Sequence, residues 1–211
     1  MVRVSRQRSF DRDTALESAL LEFWRHGYEA TSIASLTAAM GIRPPSLYAA
    51  FGDKRRLFAT VIERYRHTRG TFSTRALAEE PTGRAAIARL LRETAAEYSD
   101  PEHPPGCMII SAAVNCGPES ADVQEAMRGL REDAKAAIKA RIDGDVAAGL
   151  LPAGTDTGAL AVFYASVIQG MSVQARDGIG REDLERVADL AMLAWPGEAE
   201  SPRQAARGAT A

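Results

Sequence analysis

Long apolar runs are missing from this 211-residue chain. Arg, Glu or Gly interrupts every one of them before about 18 residues, so no membrane span is expected. The opening MVRVSRQRSF is positively charged but lacks an apolar stretch, so no secretory signal is expected either. Cysteine is scarce. Cys107 and Cys116 stand without a neighbouring histidine, which suits neither a disulfide framework nor zinc-ligand spacing, and the expected setting is a reducing cytoplasm. On one helix they would lie about 13.5 Å apart on opposite sides, too far for a bridge within the chain. His26, His67 and His103 are scattered, and no H-E-x-x-H, S-x-x-K or glycine-rich phosphate cradle is present. No catalytic residue, metal or cofactor is therefore expected, although side chains distant in sequence can still converge in a helical enzyme.

Sustained period-2 alternation of Val, Ile and Thr is also absent, while Ala, Leu, Arg and Glu dominate, with apolar residues three and four apart. An all-α protein of about nine helices is expected. Charge is divided unevenly: residues 1–70 hold 12 Lys and Arg against 7 Asp and Glu, and the remainder 14 against 21. A basic head on an acidic body suits a head that meets a polyanion, unless the clustering reflects only solvated helix faces.

The first helix is expected from Phe10 to His26, with Leu16, Ala19, Leu20, Phe23 and Trp24 on its buried stripe and Gly27 as its stop. Thr31 or Ser32 caps a second helix that buries Ile33, Leu36 and Met40 before Gly41. Pro44 and Pro45 open a third, since a first helical turn needs no backbone N–H from them. A fourth, capped by Asp53, runs on through Tyr65 towards Leu77. The fifth spans about Thr82 to Tyr98, and a short one Cys107 to Asn115. Long helices follow at about Ala121 to Gly149, Thr157 to Arg176 and Arg181 to Trp195. Residues 1–9 are expected to be a flexible basic arm, 10–55 a DNA-binding domain, 56–196 an effector-binding and dimerisation domain, and 197–211 a disordered tail.

Two short helices joined across Gly41, with a third behind them, form a helix-turn-helix whose second helix can enter a major groove. Leu47 and Phe51 are four apart and hold that helix to the core, leaving Arg43, Ser46, Tyr48 and Ala49 towards the outside. Here the chain resembles the tetracycline-repressor (TetR) family, through Gly27-Tyr28-Glu29-Ala30-Thr31-Ser32 and the run from Gly41-Ile42-Arg43-Pro44-Pro45-Ser46-Leu47-Tyr48 to Phe51-Gly52-Asp53-Lys54. The resemblance covers roughly residues 10 to 58.

It implies a DNA-binding regulator, a repressor by the family's habit. Tyr48 and Lys54 would each meet a backbone phosphate, as would Thr31 or Ser32 at a helix N-terminus. Plainer roles are packing beside Phe51 for Tyr48, solvation for Lys54, and capping for Thr31 and Ser32. Arg43, where the family commonly has a small residue, can reach a guanine edge or a phosphate, and Ser46 can touch a base. Pro45 and Ala49 complete the contact face, where paired prolines shift specificity towards DNA shape. Arg3, Arg6 and Arg8 form an arm on the backbone or minor groove, or a frayed terminus.

Two half-sites call for a homodimer, and the resemblance assigns it to the last two helices. The implied partners are double-stranded operator DNA, a second copy of the chain, and a small-molecule effector of unknown identity; no membrane is implied. Tyr65, Phe72, Leu91, Met108, Asn115 and Phe163 are the expected pocket residues. The alternative to a ligand is a redox-sensing regulator using Cys107.

Overall fold

A computed structural model describes residues 10–197, and among these all regular structure is helical: ten α-helices and one turn of 3₁₀ helix. The arm with Arg3, Arg6 and Arg8, and the tail beyond Gly197, lie outside the described residues.

Helix α1, Arg12–Ala30, starts where the Asp11 carboxylate accepts the amides of Asp13 and Thr14. Its stripe of Leu16, Ala19, Leu20, Phe23 and Trp24 is buried. Gly27 does interrupt it, with φ of 76°, but the chain then completes one more turn to Ala30 instead of stopping. The reason is tertiary: the Tyr28 amide leaves the helix ladder and donates to the Ala112 carbonyl at 2.6 Å.

Helix α2, Ile33–Met40, is capped reciprocally by Ser32 and Ser35. Gly41 ends it in the left-handed conformation, and α3, Pro44–Phe51, follows with its prolines in the first turn. Buried Leu36 holds α2 against α1, and buried Leu47 and Phe51 hold α3 against α2 and against α4, Lys54–His67, whose N-terminus is capped by Asp53.

The expected single helix to Leu77 is in fact two, α4 and α5, Thr71–Glu79, which brings the count to ten. At the break the Thr68 hydroxyl takes the Arg64 carbonyl at 2.8 Å, and the Gly70 amide turns back to Tyr65 at 2.9 Å. Gly70 lies so close to Arg66 that an added Cβ would sit 3.2 Å from its Cα. The apolar stripe carries across this corner and hides it from periodicity.

Helix α6, Gly83–Tyr98, is the axis of the body and packs against α5, α8, α9 and α10. Its start is held by buried Asp145 of α8, whose carboxylate accepts the amides of Gly83 at 2.7 Å and Arg84 at 3.1 Å. That meets the orphan donors of a helix N-terminus with a full negative charge. Helix α7, Met108–Ser111, is shorter than the expected Cys107 to Asn115, and the 3₁₀ turn Pro118–Ser120 leads into α8, Ala121–Ala147. Cys107 precedes α7 and Cys116 follows it, so the two thiols do not share a helix and the single-helix geometry does not apply. Helices α9, Thr157–Arg176, and α10, Arg181–Met192, close the body; α10 ends short of Trp195 in turns.

Candidate functional site

Two regions carry the chemistry: the outer face of α3, and a cleft in the body about one helix length away along α4.

On α3, Leu47 is fully buried and Phe51 nearly so, which turns Arg43, Pro44, Pro45, Tyr48 and Ala49 to solvent; Ser46 is half-buried. Tyr48 is 51% exposed, so it does not pack away beside Phe51. The face is built from short side chains flanked by one arginine and one phenol. Such a surface lets the backbone approach a base edge closely while two longer donors reach the flanks.

Thr31 and Ser32 separate clearly. Thr31 is buried, and its hydroxyl donates to the Gly27 carbonyl at 2.6 Å, so it neither caps α2 nor faces outward. Ser32 is exposed and does the capping. Lys54 also departs from a free, outward cation. Its ammonium lies 4.3 Å above the Tyr28 ring and 3.4 Å from the Glu29 carbonyl, and partial burial pushes its pKa down.

Several contacts that the sequence did not signal join head to body. Arg55 binds the Glu119 carbonyl at 2.7 Å and the Asp122 carboxylate at 3.0 Å. Arg176 of α9 donates to the carbonyls of Trp24 and Arg25 on α1. The Cys116 thiol sits beside Glu29 and Lys54, its pKa raised by burial first and by Glu29 second. These contacts span many residues of chain, and no local spacing signals them.

His103 is the fourth junction residue. Its ring stacks on Trp24 with centroids 4.6 Å apart, and Trp24 meets Tyr65 edge-on. Nδ1 lies 2.9 Å from the Pro104 carbonyl and Nε2 3.3 Å from a Glu97 carboxylate oxygen. A carbonyl at Nδ1 and a carboxylate at ion-pairing distance from Nε2 favour the doubly protonated imidazole. Burial, the largest single influence, works against that charge, but Glu97 and Pro104 together outweigh it and the pKa is raised.

The cleft has a volume of about 930 Å³ and is walled by α4 to α6, α8, α9 and the start of α7. Of the expected pocket residues it takes in Tyr65 and Phe72. Leu91 and Met108 lie off it, fully buried in the packed core; Asn115 is exposed on the loop after α7; and Phe163 is 38% exposed on the outer side of α9. Periodicity marks such residues as inward or outward but does not say which inward side faces a void. Thr94, Tyr98 and Cys107 line the cleft instead. The Tyr65 hydroxyl donates to Cys107 Sγ at 3.5 Å, the Tyr98 hydroxyl approaches the same sulfur, and burial raises both phenols well above their ordinary pKa.

The segment that starts in the cleft also ends at the head. The Cys107 amide donates to Ser172 Oγ at 2.8 Å, Ile109 and Ile110 line the cleft, and Ala112 accepts from Tyr28. Among the described residues, no group of three or more His, Cys, Asp or Glu is placed to hold a metal.

Comparison with known proteins agrees with this division into head and body. Residues 15–61 match the family of bacterial regulatory proteins, tetR family, and residues 83–189 match the tetracyclin repressor-like C-terminal domain. The chain is 33% identical over 192 residues to the HTH-type transcriptional repressor ComR of Escherichia coli (strain K12), covering 90% of this chain and 91% of that protein. It is 30% identical to BdcR, a repressor of the same organism, over 88% of this chain and 89% of that one. Among solved structures, a cysteine-substituted form of the TetR family regulator CifR, complexed with 26-bp double-strand operator DNA, superposes with a TM-score of 0.86. It is 44% identical, with 90% of this chain and all of that chain covered.

Proposed function

Because this chain belongs to the tetR family of bacterial regulatory proteins, we propose that it is a transcriptional repressor that binds a palindromic operator as a homodimer and releases it when a small molecule fills the cleft. The observation that carries the reading is the outer face of α3, where Tyr48 and Arg43 flank a surface of short side chains. Phosphate contacts then come from Tyr48, from Ser32, and from Lys54 once it swings off Tyr28; base contacts come from Ser46, with Ala49 and Pro45 against the groove. Arg43 extends beside them. Such a protein works in the cytoplasm, where the operator lies.

The second copy docks on α9 and α10. Val162, Phe163 and Val173 on one, and Val187, Leu190 and Leu193 on the other, are exposed, with Leu190 at 66% and Leu193 at 79%. Helix α9 is long and apolar enough to pass for a membrane span, and most of it is left uncovered in the single chain. An apolar face shared by two adjacent helices is instead the core of a four-helix interface.

The test is in vitro selection of duplexes bound by the purified protein. Enrichment of a palindrome, bound by two copies with affinity falling steeply as salt rises, is the expected result. Failure to enrich any two-fold site sinks the reading.

A further inference from the structure

Two groups that line the cleft lack a hydrogen-bond partner, the Thr94 hydroxyl and Arg141 Nε, and the first stands in a corner of neutral O–H groups. Thr94 is completely buried and lines the cleft, and its hydroxyl has no partner. Tyr98 follows four residues later on α6, on the same face of the helix. The Tyr65 hydroxyl turns to the Cys107 sulfur, a weak acceptor that holds a phenol loosely, and the buried Tyr98 phenol stands near the same sulfur. One corner of a largely apolar cleft therefore presents three neutral O–H groups that are unused or underused.

We propose that this corner recognises an uncharged oxygen acceptor, such as a carbonyl or ether oxygen, at one end of an otherwise apolar effector. This deepens the reading of the cleft as an effector site and rests on it. An oxygen placed there would accept from Thr94 and from the Tyr98 phenol and draw Tyr65 off the sulfur, replacing one poor hydrogen bond and supplying the one that Thr94 lacks. The apolar remainder would lie against Ile109, Ile110 and Ile168.

Neutrality follows from the surroundings. Buried phenols and a threonine supply no countercharge, so a carboxylate in the corner would be desolvated without a cation. Along the wall, Arg131 is committed to the Ile109 carbonyl at 3.0 Å, Lys135 to Glu132 at 2.6 Å, Arg141 to the Glu80 carbonyl at 2.7 Å and Arg66 to Glu63 at 3.0 Å; His67 Nδ1 lies 2.7 Å from the Glu63 carbonyl, and Arg75 is solvent-exposed. One wall donor, Arg141 Nε, is unpartnered, which is why a carboxylate belongs in the test.

The location also explains how such a ligand would be felt at the operator. Cys107 begins the segment that ends at Ala112, the residue bonded to Tyr28 of α1. Withdrawing the Tyr65 phenol from its sulfur leaves the near end of that segment held by the Cys107 amide on Ser172 alone, and so loosens it.

The experiment titrates the full-length protein, without DNA, with three probes of similar shape: benzylacetone, its carboxylate counterpart hydrocinnamate, and the hydrocarbon butylbenzene. Calorimetry or thermal shift should show benzylacetone bound most tightly. Thr94→Val, which keeps the shape and removes a buried hydroxyl that has no partner, should melt no lower than wild type. It should weaken benzylacetone about 5–10-fold and leave butylbenzene unchanged. Tyr98→Phe should act in the same direction.

Equal affinity for benzylacetone in wild type, Thr94→Val and Tyr98→Phe overturns the proposal, as does tighter binding of hydrocinnamate or binding of none of the probes. Operator release is measured separately. If benzylacetone binds with the expected variant pattern but does not release DNA, the effector reading fails and the recognition chemistry stands. If it releases DNA with no change in the variants, the reverse holds.

Discussion

The amide of Tyr28 donates to the carbonyl of Ala112 across 2.6 Å, joining the last turn of α1 to the segment that leaves the cleft. This bond exists because Gly27 combines a positive φ of 76° with an extended ψ of 173°, which releases the next amide from the helix. It gives the body a direct hold on the head besides the continuous helix α4.

Gly27→Ala should damage both stability and coupling. A Cβ there would stand 3.1 Å from the Ala112 oxygen, on a backbone with φ of 76°. The expected cost is about 1–2 kcal/mol in denaturant unfolding, together with weaker operator binding. Unchanged unfolding would show that the kink is not needed.

Two changes on α3 should separate by their salt dependence. Tyr48→Phe should weaken all duplexes alike, with no change in melting temperature, since the side chain is half exposed. Arg43→Ala should lower the slope of log affinity against log salt by about one, the sign of a lost phosphate contact. A loss confined to one base position would assign Arg43 to a base edge instead.

Leu190→Glu places a charge at the centre of the exposed α9 and α10 face. Sedimentation velocity should then show monomers of unchanged helicity, and operator affinity should collapse because one head alone spans a single half-site. A dimer that persists would move the interface elsewhere.

His103 predicts a pH dependence with a definite sign. Its folded-state pKa is raised, so the charged ring between Glu97 and Pro104 stabilises the fold fully below its unfolded value of about 6.5. That contribution is lost as pH rises through the folded value. The stability gap between wild type and His103→Gln should narrow over this alkaline-going window, followed by unfolding at each pH and by the imidazole resonances. A gap that widens with pH contradicts the assignment.

Helix α3 and its supports were legible in the sequence because their signals are local. Gly41 and Gly52 at helix ends, Pro44 and Pro45 in a first turn, the cap at Asp53, and Leu47 and Phe51 one turn apart each act within a few residues. The same local logic placed α9 from Thr157 to Arg176. It failed at Thr68–Gly70, where the apolar stripe continues around a corner, and at Gly27, where a carbonyl 85 residues away captures the next amide.

What the sequence alone determined, then, is that an exposed helix of short residues with Arg43 and Tyr48 on its flanks stands ready for DNA. Only the tertiary structure decided that Thr31 turns inward, that Lys54 rests on Tyr28, and that Thr94, Tyr98 and Cys107 meet at one corner of a cleft while Leu91, Met108, Asn115 and Phe163 do not. The physical reason is range: caps, turns and helical spacing are settled within one or two turns of chain. Which buried face meets a void, and which carbonyl finds which amide, depends on helices brought together from far apart.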